Sequence, residues 1–150
     1  MNQPVSISRV SRLFATFLAI ALVAGCGDGP SLAKVTGKIT VNGKPAVGAT
    51  LLFHPVDVKD APVATGVADN DGKFTLTSHL NTGASPGNYI ITVTWPDPAV
   101  KPTEAQKIRG DAEPGPDLLK GRYVMKDKSS LTAEITSSTT ELPVIELKSK

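Results

Sequence analysis

Pro86-Gly87-Asn88-Tyr89-Ile90-Ile91-Thr92-Val93-Thr94-Trp95 is the stretch that decides the fold of this 150-residue chain. Tyr89, Ile91, Val93 and Trp95 alternate with Ile90, Thr92 and Thr94. Successive side chains of a strand point to opposite faces, so a period of two predicts the first set on a core and the second outside it. β-Branched and aromatic residues dominate the run, and they fit a pleated, half-buried surface. Pro86-Gly87 marks a turn ahead of it.

Toward the N-terminus the same period recurs. Val35, Gly37, Ile39 and Val41 share one face, with Thr36, Lys38 and Thr40 on the other. Asn42-Gly43 follows as a tight turn, because both residues tolerate positive φ. Ala49 to His54 reads as a second strand with Leu51 and Phe53 on one side. Val63, Thr65 and Val67 lead into Asp69-Asn70-Asp71-Gly72, after which Phe74 and Leu76 point inward. Toward the C-terminus, Leu131, Ala133 and Ile135 alternate again, and Leu142 to Leu147 closes the chain. Pro143 lacks a donor N–H, which predicts an edge or a bulge there. About seven short strands with turn signals between them predict an all-β, antiparallel sandwich.

Val35-Thr36-Gly37-Lys38, Val41-Asn42-Gly43-Lys44-Pro45 and Gly48-Ala49 resemble the opening of a carboxypeptidase regulatory-like domain of the transthyretin (prealbumin-like) class. Ala68-Asp69-Asn70-Asp71-Gly72-Lys73-Phe74 resembles its central hairpin, and Pro86-Gly87-Asn88-Tyr89 its later strand. The likeness covers residues 34–95 well and 120–147 more loosely. It implies a seven-stranded Greek-key sandwich over residues 34–150 with an accessory, adhesive or binding role. Fold does not fix function. The C-terminal Tyr-Arg-Gly-Ser signature of the hydroxyisourate hydrolase that shares this fold is absent; the chain ends Leu147-Lys148-Ser149-Lys150.

Cys26 is the only cysteine. Arg9 and Arg12 precede an apolar run, Leu13 to Ala24, and small residues lead to the tetrapeptide Val23-Ala24-Gly25-Cys26. This layout resembles a bacterial lipoprotein signal with its lipobox. At 12 residues the run is too short for a stable bilayer span, which needs about 20. The resemblance implies cleavage between Gly25 and Cys26, so that residues 1–25 are signal peptide. It also implies lipidation of the Cys26 thiol and a short tether over 26–33. Two or more acyl chains on Cys26 would give stable anchoring. The expected location is a membrane surface on the periplasmic or cell-surface side, with inner and outer membrane both open.

Of 16 basic residues, Arg9 and Arg12 leave with the signal, so 14 basic face 14 acidic residues in the mature chain. A neutral domain lacks the basic stripe that nucleic acid binding requires. With Cys26 lipidated, no disulfide is available.

Residues Pro96 to Lys120 hold five prolines and mixed charge, a long loop of the functional or disordered kind. Thr103 and Gln106 have capping-box spacing, which admits a short helix over 103–109. Leu118, Leu119 and Tyr123 are expected to anchor the loop's return. Asp69-Asn70-Asp71-Gly72 invites a calcium reading, but the glycine comes too early for an EF-hand and a hairpin turn explains it better. His54 and His79 are too few for a zinc site and are expected on the surface. The basic cluster Lys120, Arg122, Lys126 and Lys128 reads as a solvated face.

Trp95 and Tyr123 are the candidate ligand contacts: sugars stack on aromatic faces, whereas period-two continuity makes Trp95 core. No catalytic, metal-binding or cofactor motif stands out. The expected function is therefore a lipid-anchored, non-catalytic structural or protein-interaction module of the cell envelope, its partner an envelope protein. The alternative is a carbohydrate-binding module whose partner is a polysaccharide. A hydrolase would require His54 or His79 beside a serine and a carboxylate.

Overall fold

The computed structural model describes residues 31–57, 61–111 and 113–149. The segment with Gly25 and Cys26 lies outside them, and with it the expected cleavage and lipidation site. In chain order the strands are β1 (Thr36–Val41), β2 (Lys44–Pro45), β3 (Thr50–Pro55), β4 (Ala64–Val67) and β5 (Lys73–Thr75). They continue with β6 (Thr77–Ser78), β7 (Asn81–Thr82), β8 (Gly87–Thr94), β9 (Thr132–Ile135) and β10 (Ile145–Leu147). A short α-helix, α1 (Glu104–Arg109), and a single 3-10 turn, Lys126–Lys128, lie between β8 and β9. The alternation pattern predicts about seven strands. The described residues hold ten, because β2, β6 and β7 are two-residue pieces too short to carry a period.

The strands form two sheets. One runs β10-β1-β2 with β5 also paired to β1; the other runs β7-β6-β4-β3-β8-β9. The inward sets anticipated from alternation supply the core between them: Val35, Ile39 and Val41 from one side, Leu51, Phe53, Tyr89, Ile91 and Val93 from the other. Phe74 joins the layers, with its ring 6.1 Å from that of Phe53. Tyr89 is buried with its hydroxyl donating to the Ser85 carbonyl at 2.6 Å, and burial raises its pKa. A buried phenol without that acceptor would lose its hydration uncompensated.

The sandwich is not purely antiparallel. β10 pairs with β1 in parallel, Ile39 opposite Ile145 and Val41 opposite Leu147. Residues 136–144 carry the chain from β9 to the end of the sandwich where β1 begins: Leu142 N–H donates to the Thr36 carbonyl and its side chain is buried. β10 must then run the same way as β1. The chain also changes sheet at Asp69–Gly72. Asp69 Oδ1 accepts from the N–H groups of Asp71 (2.9 Å) and Lys73 (2.8 Å). Gly72 sits at φ 75° where a Cβ would lie 2.5 Å from the Ile39 carbonyl oxygen. The Asp-Asn-Asp-Gly run is thus a turn whose first carboxylate is occupied by its own backbone.

The long loop is closed at its base. Asp97 N–H donates to the Pro116 carbonyl at 3.0 Å, and Pro96 bridges Asp117. Within it α1 carries both halves of the capping box, Gln106 N–H to Thr103 Oγ1 at 3.3 Å and Thr103 N–H to Gln106 Oε1 at 2.8 Å. Gly110 ends it in the left-handed region, and no residue of α1 is buried. Among the described residues no helix is long and apolar enough to cross a membrane.

Candidate functional site

β8 outruns its neighbour. Its first half, Gly87 to Ile90, pairs with β9, and its second half has no strand on that side. Segment 117–131 supplies the missing partners one at a time. Ile91 N–H donates to the Leu131 carbonyl at 2.8 Å, and Val93 N–H to the Tyr123 carbonyl at 2.9 Å. Trp95 N–H donates to the Asp117 carboxylate at 2.9 Å. The same carboxylate accepts from Leu119 N–H at 3.1 Å and Gly121 N–H at 2.8 Å. Leu118 N–H completes the clasp by donating to the Trp95 carbonyl at 2.8 Å. Leu119 is buried in the core. Both Leu118 and Leu119 therefore anchor the loop's return, as does Tyr123.

Both candidate aromatics are held at this end of β8. Each is half-buried and packs on the core. Trp95 lies one residue beyond the strand, and its Nε1–H donates to the Val47 carbonyl at 3.0 Å. The indole is thus part of the frame on one face, with its only donor occupied. Tyr123 is held by its own carbonyl on Val93, two residues before Trp95. Lys120, Arg122, Lys126 and Lys128 are exposed on the same segment. Arg122 Nη1 reaches the Lys148 carbonyl at 3.5 Å.

The structure corrects the reading of His54 as a surface residue. It is half-buried on β3, with Nε2 3.0 Å from Thr92 Oγ1, and Thr92 is itself only 5% exposed. Burial first, and the Lys126 ammonium second, hold its pKa below the ordinary histidine value. A histidine acting as general base must become imidazolium, and a neighbouring cation opposes that charge, where the triad arrangement places a carboxylate. His79 is elsewhere, exposed in the β6–β7 turn at φ 53°. Among the described residues no group of three His, Cys, Asp or Glu side chains is placed to hold a metal ion.

Two features escaped the sequence. Asp117 carries three backbone N–H groups; its only signal was Pro116 before it. Two surface hollows also appear. One of about 750 Å³ lies where β1 and β5 face β4 and β6, lined by Lys38, Lys73, Asp69, Glu141, Thr65 and Thr77 among others. Lys38 and Lys73 are directly opposite across the strands, and the two carboxylates balance them. The other, of about 520 Å³, lies between β9 and β10.

No protein-family model matches the chain, and no curated protein matches it. Among solved structures it is similar to a 9R-lipoxygenase from Cyanothece PCC8801, with 16% identity and a TM-score of 0.41. That match covers 77% of this chain and spans 16% of the lipoxygenase chain. A likeness at that level carries no argument about fold or activity.

Proposed function

We propose that the chain is a lipid-anchored, non-catalytic protein-interaction module of the bacterial cell envelope, built on a carboxypeptidase regulatory-like sandwich of prealbumin-like, Greek-key type. The observation that carries it is the junction between signal and fold. Val23-Ala24-Gly25-Cys26 is followed, seven residues on, by Ala33, the first of the described residues bridged to the rest of the fold. Ala33 exchanges two backbone hydrogen bonds with Ala84, at 2.9 and 3.0 Å. Seven extended residues reach about 25 Å at most, so a lipid on Cys26 holds the sandwich against the membrane.

The motif positions support the domain type: Val35-Thr36-Gly37-Lys38 enters β1, Asn42-Gly43 turns after it, and Pro86-Gly87-Asn88-Tyr89 opens β8. The carbohydrate-binding alternative draws less support, because the Trp95 indole is half-buried and its N–H is bonded to Val47. The first test is Cys26→Ser in the native host. The expected result is loss of lipid labelling and accumulation of the unprocessed precursor; continued labelling overturns the anchor. Chemical crosslinking on intact cells, followed by mass spectrometry, tests the module. A reproducible protein partner is expected, and retention of polysaccharide alone overturns it in favour of sugar binding.

A further inference from the structure

The sandwich is open along one side. β9 and β10 are the last strands of their sheets, and no described strand joins them. Ala133 and Ile145 occupy inward positions yet are only half-buried, whereas Ile135 and Leu147, one step further along the same strands, are each 1% exposed. Leu131 is half-buried beside them and Val144 is 59% exposed. Together with Ile91 and Leu142 these side chains line the 520 Å³ groove.

Among the described residues no backbone group pairs with either bank on the open side. Ile91 N–H donates to Leu131, so residues 131, 133 and 135 turn their main-chain groups toward β8. Antiparallel alternation then directs those of Thr132 and Glu134 outward. Asn42 N–H donates to Leu147, so the parallel ladder uses residues 145 and 147 and leaves Glu146 outward. Glu134 and Glu146 both line the groove, one on each bank. Neither takes part in an ion pair among the described residues, whose two salt bridges are Lys107–Glu104 and Arg109–Asp111.

We propose that this groove is a strand-docking site for an extended segment of a partner protein that alternates apolar with basic residues. The inference rests on the interaction-module reading and names the partner's chemistry. An added strand takes main-chain hydrogen bonds from the free edge, and its alternate side chains fill the apolar floor, as in β-augmentation. Its remaining side chains lie on the banks, where the two carboxylates select Lys or Arg. A second copy of this chain fits worse. Pairing through the same edge brings Glu134 or Glu146 toward its own counterpart, and like charges across an edge are unfavourable.

The test uses the full chain purified in detergent and a synthetic octapeptide of alternating valine and lysine, with its valine–glutamate counterpart as control. Hydrogen exchange read by mass spectrometry reports the site, and fluorescence anisotropy reports affinity. The expected result is saturable binding of the lysine peptide alone, with slowed exchange at Thr132–Glu134 and Ile145–Glu146. Glu134→Lys with Glu146→Lys should weaken that binding about tenfold and admit the glutamate peptide. Both positions are exposed, so the variant keeps the fold. Binding of neither peptide, equal binding of both, or protection elsewhere overturns the proposal. Protection of the same amides by concentration-dependent dimerisation overturns it in favour of a second copy. Failure here leaves the cellular crosslinking result untouched, so the two readings fail separately.

Discussion

Gly37→Ala sets two well-defined effects against each other, and its sign decides which governs the core. Gly37 lies in β1, and its φ is not in the left-handed region. On backbone grounds alanine in a strand is better than glycine by about 0.5–1 kcal/mol. The structure adds a steric term of opposite sign. A Cβ at position 37 would lie 2.5 Å from Phe74 Cζ and 3.0 Å from both Cε atoms. Gly37 and Phe74 are direct cross-strand partners, so the ring covers the glycine. The ring has little room to retreat. A Cβ at Gly66 in the other sheet would lie 2.8 Å from Phe74 Cδ2, and Phe53 stands 6.1 Å away, ring to ring. Overpacking of a tight core costs about 1–3 kcal/mol. The expected net effect is destabilisation by about 0.5–2 kcal/mol, read as a lower urea midpoint at unchanged slope. Phe74→Leu in the same chain should relieve the clash and give a favourable coupling of about 1 kcal/mol in a double-mutant cycle. A Gly37→Ala protein as stable as the parent, or additive effects in the cycle, would refute the wedged-ring account.

Asp117→Ala removes the acceptor of three backbone N–H groups at once and should cost about 2 kcal/mol or more. Trp95, the only tryptophan, should report the loosened clasp as red-shifted emission, and an unchanged spectrum would argue that the carboxylate is dispensable. His54 gives a pH dependence: its pKa is lowered by burial and then by Lys126. Below the ordinary histidine value of about 6.5 the unfolded chain therefore binds the proton first. Stability is complete above that pH and falls as pH drops below it, and His54→Gln should flatten that part of the profile measured by urea unfolding. Replacing residues 99–114 by a short Gly-Ser link should change stability by less than about 1 kcal/mol, since closure entropy varies slowly with length. The Asp97–Pro116 bond already closes the loop; loss of cooperative unfolding would show that α1 belongs to the core.

What the sequence made legible is what local chemistry encodes. Period two placed Tyr89, Ile91 and Val93 inward, and all three are buried. Asn42-Gly43 is a left-handed turn, at φ 51° and 76°, because those residues tolerate it. Thr103 and Gln106 cap α1 as their spacing allows. The failures arise where distant chain decides. Thr92 is a polar residue on the outer face, yet it is buried, as segment 117–131 runs alongside that half of β8. His54 shares that cover. The parallel pairing of β10 with β1 has no local signature, because the pleat of Ile145 and Leu147 is the same whichever strand lies beside it. Trp95 follows the inward period, but the strand ends at Thr94 and the indole turns to Val47.

The treatment of sheet edges ties these observations together. An unpaired edge is a template for other strands, and folds blunt it with short strands, charge or a covering segment. This chain covers the far half of β8 with segment 117–131, giving the N–H groups of Ile91, Val93 and Trp95 one acceptor each. Among the described residues no segment covers β9 and β10, whose open edges carry the carboxylates of Glu134 and Glu146. Those charges suit protection from aggregation and recognition of a basic strand equally well. The two roles differ in what they ask of the side chains beneath. Protection works best over a closed core, with charge outside and nothing apolar to offer. Recognition requires apolar positions left part-open between the banks, and Leu131, Ala133 and Ile145 are half-buried there while Val144 stands exposed. Shielding alone would not leave three apolar side chains part-open and a fourth exposed, so the opening is better explained as a place for a strand that none of the described residues supplies.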